Sequence, residues 1–368
     1  LGLERMNGSA VARANSALPG NGRINLITMH MNGHARHSGY DRLTAFLDGT
    51  IVSGPERFSL PQRVVARLLR PLTRRSGLLW YHRSNLIAEL HAALRWLQTS
   101  RGVFHFLYGE NSYRYLGVMK RLWGKNALVA TFHTPPEKFL QVVDDPSHLK
   151  SLDAIVVMST MQMQFFADIV GAERVFFVPH GVDTDYYCPA EGEERGEILR
   201  CLLVGSHLRD FETFAAAAKR ISGMDGRIEF TVITPESNHS FFSGLGNVSL
   251  HSRVSDETLL EMYQKADLFI LPLLECTANN VLLEAMACGL PVVATDLQGV
   301  RDYVDGECAI LVPKMDVDAL VAAILELRGD SQRRNAMCRA ARSRALDFGW
   351  ENIAQQLSGV YEKTGCWR

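Results

Sequence analysis

PLLECTANNVLLEAMACGLPVVATDLQGVRDYV, residues 272–304, decides how this chain is read. It joins a polar loop, a short apolar helix, a tight stop and a buried strand. Asn279 and Asn280 are good N-cap residues, because their side-chain oxygens can accept from the orphan N–H groups of a first helical turn. The pattern predicts about two turns of helix over 281–288, closed by Gly289 and by Pro291, which cannot continue it. PVVAT then has the unbroken apolar run of a strand covered on both faces.

Such a helix start presents free N–H groups and a positive dipole end to an anion. Glu284 lies one turn beyond Asn280 on the same face. Leu282, Leu283, Ala285, Met286 and Ala287 make the helix apolar nearly all round, so it is expected to be buried. A buried carboxylate needs partners, and two ribose hydroxyls would serve. The expectation is a site for the phosphates and sugar of a nucleotide, with Asn279, Asn280, Val281 and Glu284 as donor-binding residues.

LLEAMACGLPVVATD (282–296) resembles the donor-binding signature of the family 4 retaining glycosyltransferases. Other landmarks follow in the family's order: DAIVVMST (153–160), FVPHGVDTDYYCP (177–189), CLLVGSHLRD (201–210), KADLFILPL (265–273) and FGWENIAQQLSGVYEK (348–363). The likeness covers most of 24–363 and is sharper in the second half. It implies a GT-B fold: two Rossmann-like, doubly wound parallel-sheet α/β domains facing across a cleft. The expected division is a loose tail at 1–22, an acceptor-side domain at 23–190, a nucleotide-sugar-binding domain at 191–347, and a helix at 348–368 crossing back to the first domain. Because the chain begins with Leu, its natural start is expected at Met6 or later.

The resemblance also has breaks. Cys276 stands where the family carries the first of two glutamates, with Glu275 one residue early. Thr277, Ala278 and Asn279 replace a glycine-rich tip, and Gln298 and Gly299 stand where two glycines are common. Arg209 is the nearest cation to the family's diphosphate-binding pair, and the resemblance nominates it as a catalytic residue with His133, which ends the strand ALVATFH. Gly39, in HARHSGYDRL after the first strand, and Gly205 are expected to let backbone approach the donor. Arg253 and Val254, in HSRVSDETL, fall where the family places the nucleobase. Glu110 and Asn111 are expected to face the acceptor.

Composition agrees with this reading. At 368 residues and 47% hydrophobic content, two domains with sizeable cores are expected. A net charge of −1 gives no reason to expect nucleic-acid binding. The sum hides an asymmetry, +7 over 1–190 against −8 over the rest. Seven cysteines without a CxxC pair read as a reduced, cytoplasmic protein with no metal site. No run reaches the roughly 20 apolar residues of a membrane span. PQRVVARLLRPLTRRSG (61–77) interleaves five arginines with Val and Leu, a basic amphipathic helix suited to an anionic membrane surface.

Strand and helix patterns alternate along both halves, as two doubly wound parallel sheets require. Strand patterns occur at 24–31, 103–109, 127–133, 154–159 and 174–180, then at 198–205, 228–234, 268–273 and 291–296. The family implies a nucleotide diphosphate sugar as donor, a glycan, lipid-linked or small-molecule acceptor, and no metal or other cofactor. Two further classes share these features. A sugar-nucleotide epimerase or hydrolase would turn over donor without acceptor, and a non-catalytic binder would hold nucleotide without turnover. A dinucleotide oxidoreductase is disfavoured, since no GxGxxG follows the first strand.

Overall fold

The computed structural model describes residues 23–29, 37–190 and 196–365. The expected tail at 1–22, the His-Met end of the first strand pattern, residues 34–36 of the Gly39 loop and residues 366–368 lie outside them.

Two six-stranded sheets, parallel throughout, form the frame. The first contains β1 (Ile24–Thr28), β2 (Thr50–Ser53), β3 (Val103–Phe106), β4 (Ala127–Phe132), β5 (Ala154–Val157) and β6 (Val175–Phe177), in the order β2-β1-β3-β4-β5-β6. The second contains β7 (Leu199–Val204), β8 (Ile228–Ile233), β9 (Val248–His251), β10 (Leu268–Leu271), β11 (Val292–Thr295) and β12 (Ala309–Val312), in the order β12-β11-β10-β7-β8-β9. Strand order reverses between β1 and β3 in one sheet and between β7 and β10 in the other. In open parallel sheets those reversals open crevices at the carboxyl ends of the strands.

The central strands β3, β4, β5, β10 and β11 are buried along their whole length, which is why their sequences are unbroken apolar runs. The sequence patterns missed β2, β9 and β12, each a sheet edge. Edge strands need no two-sided apolar cover, and β2 and β9 alternate or expose their side chains. Residues 317–346 form two helices, Val317–Gly329 and Ser331–Leu346, with Asp330 capping the second. The expected single helix over 61–77 is broken. Leu60–Leu68, opened by a Ser59/Gln62 capping box, gives way at Leu69 to a short helix, Arg70–Arg74, because Pro71 lacks the N–H that would continue the ladder.

The last helix, Trp350–Lys363, packs on the first sheet. Trp350, Ile353, Leu357 and Tyr361 share a core with Ile24, Leu26, Val103 and Val129. The Tyr361 hydroxyl meets His105 Nδ1 at 2.7 Å, and burial pushes that imidazole down to about 3.

One buried acid makes a test of this first half. Glu89 accepts from the Tyr81 hydroxyl (2.6 Å) and from the N–H groups of Tyr115 (2.6 Å) and Leu116 (2.7 Å) at the start of the helix Arg114–Lys120. Burial nevertheless pushes its carboxyl from 4.5 up to about 7. A raised folded-state value means that the folded protein holds the proton more tightly than the unfolded chain. The resulting stability is full below about pH 4.5 and is lost as pH rises through about 7. Glu89→Gln, which copies the neutral acid, is expected to remove this slope. Urea unfolding at pH 5 and pH 7.5 checks it: relative to the variant, wild type loses about 2–3 kcal/mol on going to the higher pH.

Candidate active site

The signature stretch folds at the second sheet's switch point. The helix Asn280–Ala287 begins at Asn279, and Gly289 takes a positive φ of 75° just past its end. Asn279 occupies the N-cap position without a side-chain capping bond, which corrects the expectation of an Asx cap. Asn280 reaches elsewhere, its amide donating to Ser38 Oγ at 3.3 Å. Val281 is half-buried at the helix start.

Glu284 is 3% exposed and accepts from the Tyr263 hydroxyl at 2.9 Å. Burial raises its carboxyl above the ordinary value, opposed by the hydroxyls of Ser38, Tyr263 and Tyr187. A buried acid, three hydroxyls and an amide therefore converge on one face of this helix.

The loop after β7 lies alongside. Gly205 has φ 95° and Leu208 φ 56°, both left-handed. The loop is zipped to the one after β10: Asp210 N–H donates to Pro272 O (3.0 Å) and Leu274 N–H to Leu208 O (2.9 Å). Arg209 corrects an expectation. Its guanidinium is not open to the cleft but buried, with Nε and Nη2 donating to Val204 O (3.0 and 2.9 Å) and Nη1 to His207 O (3.0 Å). It braces the loop from beneath Gly205, where an added Cβ would stand 2.8 Å from Nη2. Burial lowers its pKa to about 10, so it stays charged at neutral pH.

The first sheet brings up the opposing wall. Gly39, at φ 99°, begins the 3-10 helix Tyr40–Ala45. Its loop is anchored by Asp183, which pairs with His37 and Arg42 at 3.0 Å each, while His37 stacks on Tyr186. Burial works against the Asp183 charge, but His37, the Tyr186 N–H and Arg42 hold its carboxyl below the usual range. His133, at the end of β4, lies against Tyr108 and meets Tyr40 edge-on. Its Nε2 lies 2.8 Å from Leu107 O, so Nε2–H donates to that carbonyl. Glu110 is buried and accepts from the N–H groups of His133 (2.5 Å) and Thr134 (2.7 Å). Asn111 donates to Trp80 O at 3.3 Å.

Several bonds join the two walls. Thr277 Oγ donates to His133 O at 2.6 Å, and Lys138 pairs with Glu275 at 3.1 Å. Asp302 accepts from Ser159 Oγ (2.5 Å), Thr160 N–H (2.8 Å) and Thr160 Oγ (2.7 Å). Cys276 is buried, and the ion pair engages Glu275, so the family's first acid has no direct counterpart at its own position. At Gly299 an added Cβ would collide with the backbone of Cys276 and Thr277, so only glycine fits there.

Of the expected residues, Gly39, Asn280 and Glu284 meet through Ser38, and Gly205 and Arg209 share one loop. Val254 packs against the core that holds the 280–287 helix, whereas Arg253 is exposed with φ 53°. Sequence reading missed Ser38, Thr277, Lys138, Asp183, Tyr187, Tyr263 and Asp302. Their partners lie far away in sequence, and no local pattern marks them.

Residues 199–330 match the family model "Glycosyl transferases group 1". The MMP α-(1→4)-mannosyltransferase of Mycolicibacterium hassiacum is 30% identical over 57% of this chain and 54% of its own length. The phosphatidyl-myo-inositol mannosyltransferase of Mycolicibacterium smegmatis is 29% identical over 64% of each. The chain thus spans between half and two thirds of the length of these curated relatives. Sucrose-phosphate synthase from Thermosynechococcus elongatus superposes with a TM-score of 0.67 at 18% identity, covering 92% of this chain and 98% of that one. The fold is GT-B.

Proposed function

We propose that this chain, whose residues 199–330 match the glycosyl transferases group 1 model, is a retaining glycosyltransferase that moves a hexose from a nucleotide diphosphate sugar to an acceptor held against the first sheet. The observation that carries this reading is the buried Glu284 on a helix whose open start faces the other wall. Glu284 accepts the ribose hydroxyls. The N–H groups at the start of the 280–287 helix take the diphosphate, which approaches over Gly205 with the Arg209 charge beneath it. The nucleobase lies beside Arg253 and Val254, and the transferred sugar lies near His133.

Charge grows on the leaving diphosphate as the glycosidic bond breaks, and the fixed dipoles of the helix start are aimed at it, with the Arg209 charge buried behind Gly205. The acceptor oxygen forms the new bond on the face that the diphosphate leaves, and its proton passes to a donor phosphate oxygen. No side-chain nucleophile is required. The contacts of Thr277, Asn280, Lys138 and Asp302 across the cleft support a closed arrangement that excludes water. In this reading 23–190 is the acceptor domain, 191–347 the donor domain, and the final helix ties the second to the first.

The acceptor side has a membrane-facing aspect. On the helix Leu60–Leu68, Leu60, Val64 and Leu68 form one exposed apolar stripe beside Arg63 and Arg67. No helix among the described residues is long and apolar enough to cross a membrane. Replacing the three apolar residues with Ser is expected to lower co-sedimentation with anionic vesicles about tenfold, with little effect on vesicles lacking net charge.

The reading is tested by following UDP- and GDP-hexoses with and without candidate acceptors. Acceptor-dependent release of nucleoside diphosphate, with an α-linked product from an α-linked donor, supports it. Equal turnover without acceptor would mean an epimerase or hydrolase. Nucleotide binding without turnover under any pairing would mean a binder.

A further inference from the structure

The cleft leaves the donor's diphosphate short of an open cation on the second wall. Arg209 keeps Nε and Nη2 on Val204 O and Nη1 on His207 O, so its charge acts only through the loop. On the opposing wall Arg42 is tied to the buried Asp183. Lys138 differs from both. It extends from the helix Pro136–Val142, close behind His133, and its Nζ lies 3.1 Å from Glu275 Oε2 in the loop before the 280–287 helix.

Three observations single out this ion pair. Its base is fixed while its tip is accessible. Phe139, the next residue, is buried and meets Phe132, Phe165 and Phe166 edge-on, which holds the helix in place. The Lys138 side chain is 38% exposed and that of Glu275 27%. The contact is also undirected: the ammonium is near, yet Glu275 Oε2 forms no hydrogen bond among the described residues. A half-exposed pair of this kind is worth little and exchanges partners readily. Finally, Lys138 reaches the loop over which the diphosphate approaches. Burial lowers the His207 imidazole below its ordinary value, and the charges of Lys138 and Arg209 lower it further. His207 lies between Gly205 and Arg209, so the ammonium acts on this loop from across the cleft.

We propose that Lys138 is the cation that the donor's diphosphate recruits: held by Glu275 while no donor is bound, its ammonium turns to the phosphate oxygens when the donor enters. The proposal rests on the transferase reading and deepens it. Charge that stabilises the leaving group then comes from the acceptor-side wall, and the donor itself becomes the tie between the two walls. Lysine suits the exchange, because its three N–H donors sit on a flexible stem and demand no fixed plane. A diphosphate carries more negative charge than one carboxylate and so competes for the ammonium.

Calorimetry that compares di- and monophosphates of one base is the test. UDP beside UMP, and GDP beside GMP, are titrated into wild type, Lys138→Met, Lys138→Arg and Glu275→Gln. Lys138→Met keeps the apolar stem. It is expected to weaken the diphosphate about tenfold and to leave the monophosphate unchanged, which also shows that the variant is folded. Lys138→Arg keeps most of the diphosphate affinity. Glu275→Gln removes the competing charge and is expected to tighten the diphosphate about threefold. Opposite signs at the two partners distinguish exchange from a merely structural ion pair, for which losing either partner has the same effect. The proposal is overturned by a Lys138→Met variant that weakens mono- and diphosphate alike, or neither. A Glu275→Gln variant that weakens the diphosphate as much as Lys138→Met does also overturns it. Those outcomes leave the transferase reading standing wherever wild type binds nucleotide, whereas a folded wild type that binds none removes both.

Discussion

Glu284→Ala is expected to lower kcat/KM for sugar transfer by about 10- to 100-fold, the worth of one or two hydrogen bonds to a buried charged group. The side chain sits among apolar neighbours with one oxygen on Tyr263, so its removal empties the face proposed to meet the ribose. Glu284→Gln separates two explanations. It keeps the volume and an acceptor oxygen but loses the charge, so an intermediate loss is expected if the carboxylate accepts ribose hydroxyls. If Glu284 were only a filled core position, Gln would restore full activity. Both variants are expected to keep the wild-type circular dichroism spectrum, because the 280–287 helix is fixed by Leu282, Leu283, Ala285 and Met286. Steady-state kinetics with the identified donor makes the comparison.

The second large effect is steric. A Cβ on Gly299 would stand 2.6 Å from the Cys276 carbonyl carbon and 2.8 Å from the Thr277 oxygen, both backbone atoms that no side-chain rotation can relieve. Gly299→Ala must therefore push the loop before the 280–287 helix outward. That loop carries Thr277, bonded to His133 across the cleft, and Glu275, paired with Lys138. A displacement near 1 Å at a reacting centre costs about 100-fold in rate, and the forced packing costs about 1–3 kcal/mol of stability. Gly306→Ala, whose Cβ would meet nothing within 4 Å, is the control and is expected to match wild type. Thermal melts and kcat/KM on the two variants check this. Equal behaviour would mean that the loop yields freely and does not set the geometry.

Legibility in the sequence followed burial. Strands buried on both faces, such as β4 and β11, wrote themselves as apolar runs and fixed the parallel, doubly wound class. Edge strands β2, β9 and β12, whose side chains are only partly buried, did not, whereas the fourth edge strand, β6, showed itself through its Val-Phe-Phe run. The helix at 280–287 was readable from Gly289, Pro291 and its apolar ring, and Glu284 stood out as the one charge within it. Its partners did not stand out. Ser38 comes from a loop of the other sheet, and Tyr263 looks like any apolar position on its own helix. Arg209 could be found by position but not by orientation: Gly205 leaves the space into which the guanidinium folds, and only the three-dimensional loop reveals that. Cross-cleft contacts such as Asp302 with Ser159 and Thr160 join residues more than 140 positions apart, where no periodicity can point.

The most direct measurement is calorimetric titration of UDP, GDP and ADP into the wild-type protein and Glu284→Ala. One nucleotide is expected to bind wild type in the micromolar range or tighter, about −8 kcal/mol, and about tenfold or more weakly to the variant. That result would assign the donor class and the ribose contact together. A folded wild-type protein that binds none of the three would contradict the account, leaving the GT-B fold without the nucleotide site on which the transferase reading depends.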